Sequence, residues 1–338
     1  MENLDVMVLR TLRDWRLAGR RALLTTVVRT WGSSPRPIGS IMALAEDGAV
    51  IGSVSGGCIE DDLIARYSRA HGAPGQMPSG APALVKYGIT ADEAHRFGLP
   101  CGGTLELLLE YDPEPAALET LVAALEKGRL MQRTVALSDG AVSLAEASSP
   151  AELSIDDSAL VNTFGPEYRM LLIGAGQLAE YLSTMAKFSG FAVTLCDPRP
   201  EYRTAWSVPG VTLSTEMPDD AVTAFRPDRR SCVVALTHDP KLDDLALLEA
   251  LQSEAFYVGA IGSRRNAQAR RERMIEHFDQ TEASLARLRG PIGIYIGSKT
   301  PPEIAVSVMA EILAVKNGVR LPRETEVAHA KEAAGVGK

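Results

Sequence analysis

The sequence is poor in features that mark several large protein classes. Four cysteines occur in 338 residues, and no two of them form a CxxC pair. That excludes a disulfide framework and fits a reducing compartment, here expected to be the cytoplasm. No uninterrupted apolar stretch approaches the ~20 residues that a bilayer span requires. The amino-terminal segment MENLDVMVLRTLRDW alternates charged and apolar residues and lacks the apolar core and small-residue cleavage site of a signal peptide. Positive charge is in deficit too: 43 Asp and Glu against 35 Lys and Arg leave a net charge of −8. A surface of that sign repels phosphate backbones and anionic lipid, so no nucleic acid and no membrane is expected as partner.

What is present suffices for two cores. Residues 1–18 read as an amphipathic helix, with Leu4, Met7, Val8, Leu12 and Trp15 near helical spacing. Strands are expected at 22–30, 40–45, 49–54, 83–87 and 104–111, the second and third joined by a hairpin turn at Glu46-Asp47-Gly48. Helices are expected at about 58–70 and at 114–127, and short strands over 129–160. The periodic pattern pauses around Gly165-Pro166, and from Arg169 near-continuous apolar strands alternate with helices. Such strands belong in a parallel sheet covered on both faces. The expected strands are 170–173, 192–196, 211–213, 232–237, 257–261 and 292–296. The fold class is therefore α/β: an N-terminal α+β domain over 1–162, then a Rossmann-like doubly wound parallel sheet over 167–320, then a flexible tail over 321–338.

The segment Leu171–Ala179 carries a dinucleotide-type fingerprint between a strand and a helix. Gly174 permits the tight turn, Gly176 lets the backbone approach a diphosphate, and Ala179 keeps the helix close to the sheet. Asp197 ends the second strand, where a carboxylate accepts hydrogen bonds from ribose hydroxyls. The alternative is that these glycines pack a Rossmann fold that holds no dinucleotide. Three more loops are expected at the carboxyl edge of the sheet. They carry His238, then Ser263, Arg264 and Arg265, then Lys299, which precedes a capping box with proline at its first helical position. Their basic groups suggest an anion site; solvated surface charge is the alternative. His238 is a candidate acid–base group or a structurally bonded histidine.

Cys58 and Cys101 sit beside paired glycines, Gly56-Gly57 and Gly102-Gly103. Paired glycines let backbone come close to a ligand and offer N–H groups as an anion nest. A thiolate at a helix start, expected for Cys58, is reactive and is a soft metal ligand. Two inert cysteines in tight turns remain the alternative. A zinc site from Cys58, Cys101, His71 and His95 matches no compact ligand spacing. Cys196 and Cys232 lie in apolar strands and read as core.

Taken together, the segments SGGCIE, PCGG, LLIGAGQLAEYL, CDPRPEY, THDPKLDDLALLEAL, YVGAIGSRRN and GPIGIYIGSKTPPEIAVSVMAEI resemble the XdhC/CoxI family over nearly the whole chain. That family comprises accessory factors of xanthine dehydrogenase and related molybdenum hydroxylases. The resemblance implies a cofactor carrier without catalytic residues of its own. It would bind the molybdenum cofactor (molybdopterin), support exchange of an oxo ligand for a sulfido ligand supplied by a cysteine desulfurase, and deliver the product to an apo molybdenum hydroxylase. It also implies that Cys58 and Cys101 contact the metal or its sulfur, and that the protein is a homodimer. Gln177 and Tyr295 stand where members of the xanthine dehydrogenase type often carry histidine and aspartate, which places the chain nearer the CoxI-like branch. Two other readings of the residues stay open: an NAD(P)-dependent oxidoreductase using the fingerprint and His238, and a nucleotide-sensing regulator without metal.

Overall fold

A computed structural model of the chain describes residues 4–32, 36–70, 76–88 and 104–330. His71, His95, Cys101, Gly102 and Gly103 lie outside the described residues, as does the side chain of Cys58. The chain divides into two compact units, Glu2–Gly165 and Pro166–Lys338.

In the first unit, α1 (Leu4–Leu17) leads into β1 (Ala22–Trp31), β2 (Ile41–Ala45) and β3 (Val50–Gly52). Then come α2 (Cys58–Tyr67), β4 (Ala83–Tyr87), β5 (Thr104–Tyr111) and α3 (Pro115–Glu126). The five strands form an antiparallel sheet in the order β3-β2-β1-β5-β4. Alternation along β1 sends Leu24 to one face and Leu23 to the other, and each face has its own helices. Val8, Leu9 and Leu12 of α1 and Leu118, Leu121 and Val122 of α3 cover the first face. Ile59 and Leu63 of α2 cover the second. A second antiparallel sheet follows, from β6 (Met131–Ala136), β7 (Val142–Glu146), β8 (Ser154–Ile155) and β9 (Ala159–Phe164), ordered β7-β6-β9-β8. It joins the first through Val28, Leu108, Val135 and Leu160. A buried two-bond ion pair from Arg133 to Glu110, 2.9 and 2.7 Å, crosses the same junction.

The second unit is a parallel sheet of six strands: β10 (Tyr168–Ile173), β11 (Phe191–Cys196), β12 (Thr212–Ser214), β13 (Ser231–Ala235), β14 (Tyr257–Ala260) and β15 (Leu288–Arg289). Their order, β12-β11-β10-β13-β14-β15, is the 3-2-1-4-5-6 arrangement of doubly wound nucleotide-binding folds. The helices are α4 (Gln177–Phe188), the short α5 (Pro200–Arg203), α6 (Pro218–Phe225), α7 (Pro240–Gln252), α8 (Arg264–His277) and α9 (Pro301–Lys316). Ala179, Leu182 and Ala186 of α4 pack with Ala305, Val308 and Ile312 of α9 on one face. Val222, Ala246, Leu247, Ala250 and Met274 from α6, α7 and α8 cover the other.

Two expectations are corrected here. The apolar run 292–296 is not a strand; β15 ends at Arg289, and a cis Gly290–Pro291 bond follows. Proline has no ladder donor. Beyond it Ile292 N still reaches Ala260 O of β14 at 3.3 Å, and then the N–H groups turn to the α9 side: Gly293 to the Glu311 carboxylate and Ile294 to Ser307 O. Residues 321–330, expected as flexible tail, are tied to that connector. Tyr295 N donates to Thr325 O at 2.7 Å, Val327 N donates to Gly293 O at 2.9 Å, and Ala330 is buried.

Candidate functional site

In the first unit the glycine–cysteine loop follows β3. Residues Ser53–Gly57 wind around one carboxylate, that of Glu60 in the first turn of α2. Its Oε1 accepts from Ser53 Oγ, Val54 N and Ser55 N, each at 2.8 Å, and from Gly56 N at 3.1 Å. Its Oε2 accepts from Gly57 N at 2.8 Å and from Ser55 Oγ. Glu60 is 8% exposed. Burial alone would raise its pKa, but the hydrogen bonds from Ser55 and Ser53 outweigh that and hold the carboxyl far below the ordinary carboxylate range. The anion nest expected of Gly56 and Gly57 is thus filled from within, by a side chain of the same loop. Gly56 has φ +90°, and a Cβ there would meet no atom within 4 Å, so backbone conformation alone asks for glycine. Cys58 opens α2, directly after this wound loop.

In the second unit the loops carrying Gly174, Asp197, His238 and Ser263 follow the carboxyl ends of β10, β11, β13 and β14 and so share one edge. The Lys299 loop, expected to end a sixth long strand, follows no strand directly. Gly174 has φ +108°, and a Cβ there would stand 2.7 Å from Thr237 Cγ2. The fingerprint turn therefore touches the loop after β13, where the strand order reverses. Gly176 caps α4 with no side-chain acceptor for the first N–H groups, and Ala179 is buried against the sheet. Asp197 follows β11 directly. It is 0% exposed, and its oxygens are already bonded. Oδ1 accepts from Arg199 N at 3.0 Å and Nε at 2.9 Å; Oδ2 accepts from Ala175 N at 2.8 Å and Arg199 Nη2 at 2.9 Å. Burial pushes its carboxyl up, and the Arg199 guanidinium and these N–H groups more than reverse that, so the group stays ionised.

The next loop is held from below. His238 is exposed and takes φ +63°, a conformation uncommon for a side chain of its kind. Asp243 fixes it, accepting from Thr237 N at 3.2 Å, Thr237 Oγ1 at 2.7 Å and His238 N at 3.1 Å. Arg270 of α8 then bonds Asp243 at 3.1 Å and Asp244 at 2.9 Å, and Arg273 bonds Asp244 at 2.7 Å. Ser263 caps α8 by accepting from Asn266 N at 3.1 Å, and Arg264 and Arg265 follow in the first turn, both exposed. Cations at a helix amino end oppose the helix dipole, which makes this placement costly to the helix and favourable to an anionic ligand. Lys299 lies on the connector before α9; its N–H donates to Glu303 at 2.8 Å, alongside the expected capping box, in which Thr300 N donates to the same carboxylate at 3.0 Å. No described contact joins Lys299 to the other loops.

Sequence reading missed Glu60, Asp243, Asp244 and Arg270. Glu60 carried one signal, a glutamate three residues after the helix cap. Cys196 and Cys232 are buried; burial, with Asp197 adjacent, pushes the Cys196 thiol up to about 12, and burial raises Cys232 further. Among the described residues no three His, Cys, Asp or Glu side chains gather as a metal site. An open groove of about 910 Å³ runs along α6 past Arg169, Asp220 and Phe225, touching none of these loops.

Comparison with known proteins adds a consistent set of relatives. Residues 15–88 match the model of the XdhC and CoxI family, and residues 170–312 match the XdhC Rossmann domain. The molybdenum cofactor insertion chaperone PaoD of Escherichia coli K12 is 26% identical over 312 residues, covering 91% of this chain and 88% of that protein. A probable xanthine dehydrogenase subunit of Bacillus subtilis 168 is 25% identical, covering 88% of this chain and 94% of its own. The crystal structure of a xanthine dehydrogenase from Bacillus halodurans shares the fold, with a TM-score of 0.66, 24% identity, and coverage of 97% of this chain and 99% of that one.

Proposed function

Because the chain belongs to the XdhC and CoxI family, we propose that it is an accessory protein that binds the molybdenum cofactor as cargo and passes it to an apo molybdenum hydroxylase. The observation that carries this reading is end-to-end similarity to a relative named as a molybdenum cofactor insertion chaperone, over 91% of the chain. Cys58 and Cys101 supply soft sulfur ligands for the metal or its sulfur. The loop around Glu60 fixes the backbone from which Cys58 projects. In this role the protein supports exchange of an oxo for a sulfido ligand, the sulfur coming from a cysteine desulfurase, and it works as a homodimer. The exposed cations Arg264, Arg265 and Lys299 suit an anionic group of the cargo, since a helix amino end and guanidinium groups both favour one.

The competing reading, an NAD(P)-dependent oxidoreductase, loses support from Asp197, whose acceptor positions are taken by the protein itself. The deciding measurement is molybdenum and pterin content after anaerobic co-expression with a cofactor-producing host. Wild type should hold both, and Cys58→Ala or Cys101→Ala should lose them. A wild type that carries neither, yet retains a nicotinamide nucleotide, would sink the carrier reading.

A further inference from the structure

We propose that Arg199 is a specificity-determining residue that closes the ribose position of the Rossmann unit to NAD and other dinucleotides with a free ribose diol. In a fold of this strand order the carboxylate at the end of the second strand accepts hydrogen bonds from that diol. Asp197 occupies the position, but a carboxylate offers about four lone-pair sites, and four donors already fill them. Arg199 supplies three: its own N–H, Nε and Nη2, at 3.0, 2.9 and 2.9 Å. The fourth, Ala175 N at 2.8 Å, belongs to the fingerprint turn and by itself would leave acceptor capacity for a ligand.

Arg199 is also held where it is. Its guanidinium stacks over the Tyr202 ring, with its carbon 3.9 Å from the centroid. Pro198 and Pro200 flank it, fixing two neighbouring φ angles and keeping Arg199 itself extended, with ψ 116°. A ribose hydroxyl is a neutral donor, and it would have to displace a charge-assisted two-bond pair that keeps a fully buried carboxylate ionised. The fingerprint thus keeps the turn and the close helix packing of a dinucleotide fold while its ribose acceptor is satisfied internally.

This inference goes beyond the carrier reading and does not depend on it; an empty molybdenum assay would remove the carrier reading and leave this one standing. The test is equilibrium dialysis of the full chain against NAD+, for wild type, Arg199→Ala, Arg199→Gln and the double variant Arg199→Ala with Asp197→Asn. Wild type should show no saturable binding. A variant lacking Arg199 that melts cooperatively should bind at least roughly tenfold more tightly than wild type, the effect of returning one or two good hydrogen bonds. The double variant should lose that gain. The proposal is overturned if wild type binds as well as the single variants, if a folded single variant gains nothing, or if the gain survives loss of the Asp197 charge.

Discussion

At the scale of single residues, the Glu60 carboxylate shows how a short motif is organised. Six donors converge on two oxygens, four of them backbone N–H groups of Val54, Ser55, Gly56 and Gly57. Removing the acceptor strands those groups, so Glu60→Ala should cost on the order of 3 kcal/mol in urea unfolding. An unchanged midpoint would mean that the loop does not depend on this carboxylate. The pH dependence has a definite sign. The folded carboxyl is depressed below its ordinary value of 4.5, so its contribution is present above that value and is lost as pH falls toward the folded pKa. The stability gap between wild type and Glu60→Gln should therefore narrow between pH 6 and about pH 3. A gap that widens on acidification would contradict the assignment. Asp197 shows the same economy in the second unit: a residue whose position suggests a ligand contact spends its hydrogen bonds on its own loop.

At the scale of elements, α7 and α8 are joined by the Asp243–Arg270–Asp244 bridge, which also sets the His238 turn. Arg270→Ala would leave two buried carboxylates short of a cation and should destabilise the second unit by about 3–5 kcal/mol, more than Arg273→Ala, whose side chain is part-exposed and whose loss leaves Arg270 in place. Urea titrations of the two variants would decide, and equal effects would count against the bridge. At the start of α8, Arg265→Ala should stabilise slightly, by a few tenths of a kcal/mol, because it removes a cation from a helix amino end. It should at the same time weaken retention of the molybdenum cofactor, measured as metal per chain. These elements were unequally legible in the sequence. Strands β10, β11, β13 and β14 announce themselves as buried apolar runs between helices. The run 292–296 looks the same to a pattern reader, yet after Gly290-Pro291 it makes one bond to β14, from Ile292, before its N–H groups turn away, and Tyr295 and Ile296 end up exposed. Candidate site glycines could be picked out because a turn forces their type. The pairing of Asp243 with Arg270, 27 positions apart, has no local signature, and the same holds for the burial of Asp197 under Arg199.

At the scale of the whole molecule, each hydrophobic core formed by the described residues draws on a single unit. A fragment of residues 166–338 should accordingly fold and melt cooperatively by circular dichroism. A featureless melt would show that it needs the other half. Shortening that fragment to end at Arg320 should lower its melting temperature, because the Thr325 and Val327 bonds to the connector are lost. The two buried cysteines of this unit have a further use. Cys232 lies in the core on one face of the parallel sheet and Cys196 in the core on the other. Each is a natural clock for its own side: the time each thiol takes to become available to a reagent dates the opening of that face. Equal times for the pair would describe a sheet that comes apart as one layer, and unequal times would tell which coat of helices is shed first.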